Sequence, residues 1–259
     1  MKHKTMSTFA ALAVGLALLA ACAGDGGGDG IDVQRTGARQ ADTRQTDTRQ
    51  TDVQQTDVQQ TDTQQIDVRQ WASDYNDGAS TIRTAHVVTS ETNYDSGEPV
   101  EILGEGDFDR TDQSNIKRRL ALRVGDMAAT VIVVDGKMYF QEEPGPWTEV
   151  ESDGQDLGGI LPGISASEIA AMKEVAYRGD EDVAGTLTHH YTVTYDAQKW
   201  SAYRSDVVDG DTVERDTWVD DDWRVVKYTE SFSVVGKQTT MSATYSRFNE
   251  PVTIEAPAL

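Results

Sequence analysis

The sequence predicts an α+β chain that is mainly β: a meandering antiparallel sheet curled around an interior, with a few helices inserted between its halves. Three observations point there. Between residues 81 and 248, apolar and polar residues alternate with the period of two that a half-buried strand requires. Turn-forming pairs, Ser96-Gly97, Asp135-Gly136 and Gly236-Lys237, separate these runs at hairpin distance. Helix signals are too few to cover such a sheet, so its apolar side is expected to curl around an interior.

In chain order, residues 81–94 and 100–108 read as a first, rather polar hairpin around Ser96-Gly97. Residues 114–125 place Leu120, Leu122 and Val124 on one side and Lys117, Arg119 and Arg123 on the other. Residues 127–134 are nearly all apolar and stop at Asp135-Gly136, a strong hairpin signal. Residues 137–141 then return with Met138 and Phe140 on one face and Tyr139 on the opposite one. Residues 186–195 alternate Leu187, His189, Tyr191, Val193 and Tyr195 against threonines and His190. Three more strands are expected at 212–219, 224–235 and 238–248, with Val226, Tyr228, Phe232 and Val234 facing Met241, Ala243 and Tyr245. The total is about nine or ten strands.

Helices are expected at a few places. Ser165 and Glu168 form a capping box and Ile164 with Ile169 the matching hydrophobic staple, so a short helix should run to about Met172. Residues 67–79, 157–161 and 197–208 are further helical candidates. The candidate lining of the interior is the inward set of the strands. It comprises Leu120, Leu122 and Val124; Met138 and Phe140; Tyr191 and Val193; Val226, Tyr228 and Phe232; and Met241 with Tyr245.

Lys2 and Lys4 precede a run of small or apolar residues from Phe9 to Ala21. It is shorter than the roughly twenty residues that span a bilayer and suits a signal peptide. The run ends Leu19-Ala20-Ala21-Cys22, which resembles the lipobox of bacterial lipoproteins. The resemblance implies cleavage before Cys22 and diacylation of its thiol. Residues 1–21 are then a lipoprotein signal peptide, and Cys22 is the lipid attachment point. Cys22 is the only cysteine, so the domain has no disulfide and stands on its core alone. Two or three acyl chains would hold the protein where one would not.

The net charge is −21, and loss of Lys2 and Lys4 with the signal peptide takes it to −23. Phosphate backbones and anionic headgroups repel such a chain, so nucleic acid is not an expected partner. Residues 31–70 repeat in fives, as in Thr46-Asp47-Thr48-Arg49-Gln50 and Thr56-Asp57-Val58-Gln59-Gln60. A pentapeptide-repeat β-helix needs a large apolar residue at each pentad centre, and here Thr or Val stands there. Residues 22–70 are accordingly expected to be a lipid-anchored disordered spacer, with an end-to-end distance of about 40 Å as a coil. Residues 71–259 are the folded domain.

No nucleophile elbow, Walker loop, His-Glu-x-x-His or paired-cysteine pattern occurs. His189 and His190 would point to opposite faces of a strand and cannot share a metal ion. Asp220-Asp221-Asp222 and Asp209-Gly210-Asp211 lack EF-hand spacing and read as solvated turns. Lys117, Arg118, Arg119 and Arg123 form the one basic cluster and read as a solvated outer face. The five tryptophans read as core, with a cavity rim as the alternative. A non-catalytic protein with no cofactor and no metal is expected.

Several segments, in order, carry a family resemblance: Val134-Asp135-Gly136-Lys137-Met138-Tyr139 with Trp147, Val175-Ala176-Tyr177-Arg178-Gly179, and the run from Val183 to Tyr191. Trp218-Val219-Asp220, Arg224-Val225-Val226 and the run from Phe248 to Pro257 follow. Behind a lipobox, this order resembles the actinobacterial lipoproteins of the LppX/LprG type, which share a fold with the LolA and LolB carriers. The resemblance covers about residues 78–257 and implies that the curled antiparallel sheet is a half-barrel, with a few helices closing its concave face, that holds acyl chains in an apolar cavity. The expected protein is a monomer anchored to the extracytoplasmic face of the cell membrane. There it binds or carries a lipid or acylated partner. The alternative is an envelope interaction or sensor module that binds a protein through the sheet surface.

Overall fold

The computed structural model describes residues 66–95, 98–150, 161–204, 209–234 and 236–259. The lipobox, Cys22, the pentads before Ile66 and most of the 157–161 helical candidate lie outside the described residues.

Helix α1 (Val68–Thr81) opens inside the last pentad, because Asp67 caps it and accepts a 2.8 Å bond from Gln70 N. It buries Trp71, Ala72, Tyr75, Gly78 and Ala79, one stripe at helical spacing. Arg110 closes its C-terminal end, donating to the carbonyls of Ala79 and Ile82 and, at 3.3 Å, to that of Pro162. Gly78 admits no side chain, since a Cβ there would lie 2.2 Å from the Trp223 carbonyl oxygen.

Strands β1 (Thr84–Asp95) and β2 (Glu98–Asp109) pair along their whole length, from Thr84↔Asp109 to Asp95↔Glu98. The chain then meanders through β3 (Lys117–Val124), β4 (Met127–Val134), β5 (Lys137–Glu143) and the short β6 (Thr148–Val150). The β4–β5 turn at Asp135 and Gly136 takes φ of 53° and 71°, the mirror-image geometry that matches strand twist. Helix α2 (Ala166–Ala171) starts at the expected capping box: Ser165 Oγ accepts from Glu168 N at 3.2 Å, and Glu168 Oε2 accepts from Ser165 N at 3.0 Å.

A second meander follows: β7 (Met172–Val183), β8 (Thr186–Asp196), helix α3 (Ala197–Arg204), β9 (Asp209–Val219), β10 (Val225–Val234) and β11 (Lys237–Ser246). The strand order is β6-β5-β4-β3-β2-β1-β11-β10-β9-β8-β7, with every neighbour antiparallel. First and last strands meet at the centre, from His86↔Ser246 to Thr92↔Thr240, and join the two meanders into one sheet. The sheet remains open, with β6 and β7 at its edges.

Eleven strands are present rather than nine or ten. Edge strand β7 carries register shifts between Met172 and Glu174 and between Tyr177 and Gly179, which destroy the alternation that marks a strand. Strand β6 has three residues, all exposed. The last strand stops at Ser246 rather than 248, because Arg247 and Asn249 adopt φ of 52° and 60°.

One face of the sheet is apolar. Leu120, Leu122, Val131, Val193, Tyr228, Met241 and Tyr245 belong to one contacting cluster, although their strands range from β4 to β8 across the order. The cluster is continuous across these strands, and helices α1 and α3 add Trp71 and Trp200 to it. The three helices lie on this inner face, with their main contacts on β7, β8, β9 and β10. On the outer face a smaller cluster joins Ile132, Val134 and Tyr139 to Ile254 of the C-terminal segment, with Trp147 against it.

Candidate functional site

The residues expected to line an interior lie as follows. Leu120, Leu122, Tyr191, Val193, Tyr228, Phe232, Met241 and Tyr245 are buried in the main cluster, and Met138 and Phe140 pack against it half-buried. Val226 is buried beside the register shift between Val225 and Lys227, outside that cluster. Val124 ends its strand half-buried.

Helices α1 and α3 contribute what strand alternation could not show. Trp71 of α1 meets Tyr75 at 5.2 Å and Tyr191 at 5.8 Å between ring centroids. Trp200 of α3 packs on Phe232 at 4.8 Å. Both tryptophans are core. Their indole nitrogens are buried, and Trp71 Nε1 has no hydrogen-bond partner in the structure.

An ion triad missing from the sequence reading stands in this apolar surface. Arg215 of β9 contacts Glu230 Oε1 through Nη2 at 2.9 Å and through Nε at 3.0 Å, and its Nη2 reaches Glu168 Oε1 of α2 at 3.1 Å. Its guanidinium lies 5.3 Å from the Tyr195 ring centre and 5.5 Å from that of Tyr228. Glu168 and Glu230 are 1% and 0% exposed, so the charges are sealed from water and each needs the others. The signal was present: Glu230 continues the inward alternation of Tyr228 and Phe232, and Arg215 that of Val213 and Thr217. Burial pushes the neighbouring Tyr195 hydroxyl well above its ordinary range.

Arg118 corrects the solvated basic cluster. It faces inward beside Leu120 and is 5% exposed, while Arg119 and Arg123 lie on the outer face. Alternation alone assigns it there, since 118, 120 and 122 share parity.

His189 and His190 do face opposite sides of β8. His190 is stacked on Trp218 at 4.3 Å and 15°, between Glu181 at 2.9 Å and Asp216 at 3.1 Å. His189 lies between Asp180 at 2.7 Å and Asp221 at 3.1 Å, and the Asp180 bond first raises its pKa above the ordinary value. Tyr177 donates to Asp180 at 2.6 Å and is thereby pushed up to about 12. Among the described residues no three His, Cys, Asp or Glu side chains are grouped to hold a metal ion, and no helix is long and apolar enough to cross a membrane.

The outer face carries a groove of about 470 Å³ across β11, β1, β2, β3, β4 and the end of β5. Val88 and Leu103, 47% and 38% exposed, stand over small residues that include Ser90, Ala121, Ala128 and Ser242, with Arg123 and Glu143 among the lining. Of the expected cavity lining, only Leu122 reaches it.

With this geometry in place, the family model described as LppX_LprAFG lipoprotein matches residues 43–254. The chain belongs to that family. Within it, the fold is similar to that of LprF from Mycobacterium bovis, at a TM-score of 0.56 and 20% identity, over 74% of this chain and 97% of LprF. It is likewise similar to LppX from Mycobacterium tuberculosis, at a TM-score of 0.56 and 14% identity, over 73% of this chain and 98% of LppX. At these identities the likeness to LprF and LppX is one of fold. No curated protein matches this LppX_LprAFG member in sequence.

Proposed function

We propose that this chain is an envelope lipoprotein, held at the extracytoplasmic face of the cell membrane by acyl chains on Cys22. Its inner sheet face binds an amphiphile, a lipid or an acylated partner, without catalysis. One observation carries the reading. The helices lie mainly over β7–β10, whereas Val124, Val133, Met138 and Phe140 on the β3–β5 side are only half-buried and Val150 of β6 is 39% exposed. An incompletely covered apolar surface inside a curled sheet is poorly hydrated and favours alkyl chains. Membership of a lipoprotein family supports the same reading. The acyl anchor holds the protein, since a chain at −21 is repelled by anionic headgroups. The domain works as a monomer on a spacer that lets it reach from the membrane and return.

The test is solvent extraction of the purified full-length chain followed by lipid mass spectrometry. A stoichiometric amphiphile, and uptake of a fluorescent fatty acid that Met138→Glu abolishes, are the expected results. No bound amphiphile and no uptake by the wild type overturn the proposal.

A second reading rests on the outer groove. Val88 and Leu103 are exposed there on a face away from the helices, which favours a module that docks a protein partner. Crosslinking from residues 88 and 103 to one defined partner, without amphiphile binding, would favour it over the carrier.

A further inference from the structure

Each of the three histidines among the described residues has both ring nitrogens against carboxylates. His86 meets Asp107 and Glu105, His189 meets Asp180 and Asp221, and His190 meets Glu181 and Asp216. A neutral imidazole has one N–H, so one of its two contacts would set a lone pair against an anion. At His189 only the imidazolium, with two donors, satisfies both. His189 differs from the others in what it joins. Asp180 lies on edge strand β7, and Asp221 lies in the turn between β9 and β10.

That turn reaches α1. Trp223 stacks on Tyr191 at 5.7 Å and 21°, and Tyr191 meets Trp71 of α1 at 5.8 Å. The Trp223 carbonyl lies against Gly78 of α1 with no space for a methyl group. Other charges around the turn are engaged: Arg224 holds Asp220 at 2.8 Å and Asp222 at 3.3 Å. Tyr177 of β7 donates to Asp180, and Asp74 of α1 acts on the Tyr191 hydroxyl rather than on the imidazole.

We propose that His189 is a proton-operated clamp: as imidazolium it ties the β9–β10 turn to edge strand β7 and, through Trp223 and Tyr191, seats α1 on the sheet. Loss of the proton leaves one carboxylate facing a lone pair, frees Asp221, and loosens the turn and α1 with it. The Asp180 contact raises the His189 pKa above 6.5, so the clamp is closed in acid and opens as pH rises through that raised value. What seats α1 is independent of what α1 covers, so the clamp stands or falls apart from the amphiphile reading.

Hydrogen exchange of the full-length chain tests this, followed at the amides of residues 71–79 and corrected for intrinsic exchange. Protection should fall several-fold between about pH 6 and about pH 9 in the wild type, with each unit of His189 shift setting about a tenfold range. His189→Gln should show no pH step. Asp221→Asn, at a residue 82% exposed and remote from the core, should shrink the step and keep the fold even if the glutamine variant does not. A wild type without the step, or an Asp221→Asn variant with an undiminished one, overturns the clamp. So does an imidazole NMR titration that finds His189 neutral at about pH 6.

Discussion

Arg215 of β9 and Glu230 of β10 meet inside the apolar face, two donors of one guanidinium reaching the same carboxylate oxygen at 2.9 and 3.0 Å. Glu168, held in its own capping box, completes the triad from α2. Three sealed charges on a largely apolar face fix which part of the sheet α2 rests on. An apolar contact would leave that helix free to slide.

Glu230→Ala should therefore destabilise the domain by about 3–5 kcal/mol, because it strands part of a buried guanidinium. Replacing the triad together, Glu168→Leu with Arg215→Met and Glu230→Leu, should be neutral or stabilising by about 1–4 kcal/mol. Urea unfolding measures both. A single variant as stable as the wild type would show that water reaches Arg215.

Gly78→Ala should destabilise although it raises helix propensity by about 1 kcal/mol. The new Cβ would stand 2.2 Å from the Trp223 carbonyl oxygen, so α1 must lift or the turn must move. Thermal unfolding gives the sign, and a gain in Tm would place the helix further from the turn.

The stability profile against pH should have two shoulders. Asp180 is held below its usual value, first by Tyr177 and then by His189, so its contribution is present above pH 3.8 and is lost as pH falls through the lowered value. His189 is raised above 6.5, so its contribution is full below 6.5 and is lost as pH rises through the raised value. Tm followed across pH should fall on both sides of that window, and His189→Gln should remove the alkaline fall while leaving much of the acid one.

Cys22→Ser should move the protein from the membrane fraction to the soluble fraction, with the thermal unfolding of the domain unchanged. Retention in the membrane after the exchange would assign anchoring to another part of the chain. Metabolic labelling with a fatty acid reads the same point chemically, since the serine variant should incorporate none.

Much of this architecture is legible because local chemistry writes it. The parity of Leu120 and Leu122, the Asp135-Gly136 turn and the Ser165–Glu168 box each depend on neighbours a few residues away, and each forms as read. Strand β7 is illegible for a physical reason: its bulges shift the register, and only pairing with β8 makes it a strand. Arg118 shows the opposite error, in which parity was available but charge type outweighed it.

The spacing along the chain carries the strand faces and the family, since each is a property of short segments or of their order. Folding alone decides which strand meets which. The pairing of β1 with β11 joins residues about 150 positions apart, and no local preference encodes such a contact. The β9–β10 pairing sets Arg215 opposite Glu230, the seating of α2 brings Glu168 to them, and that of α1 sets Gly78 against Trp223. The contacts of Glu168 and of Gly78 are long-range, so their energies exist only in the folded chain.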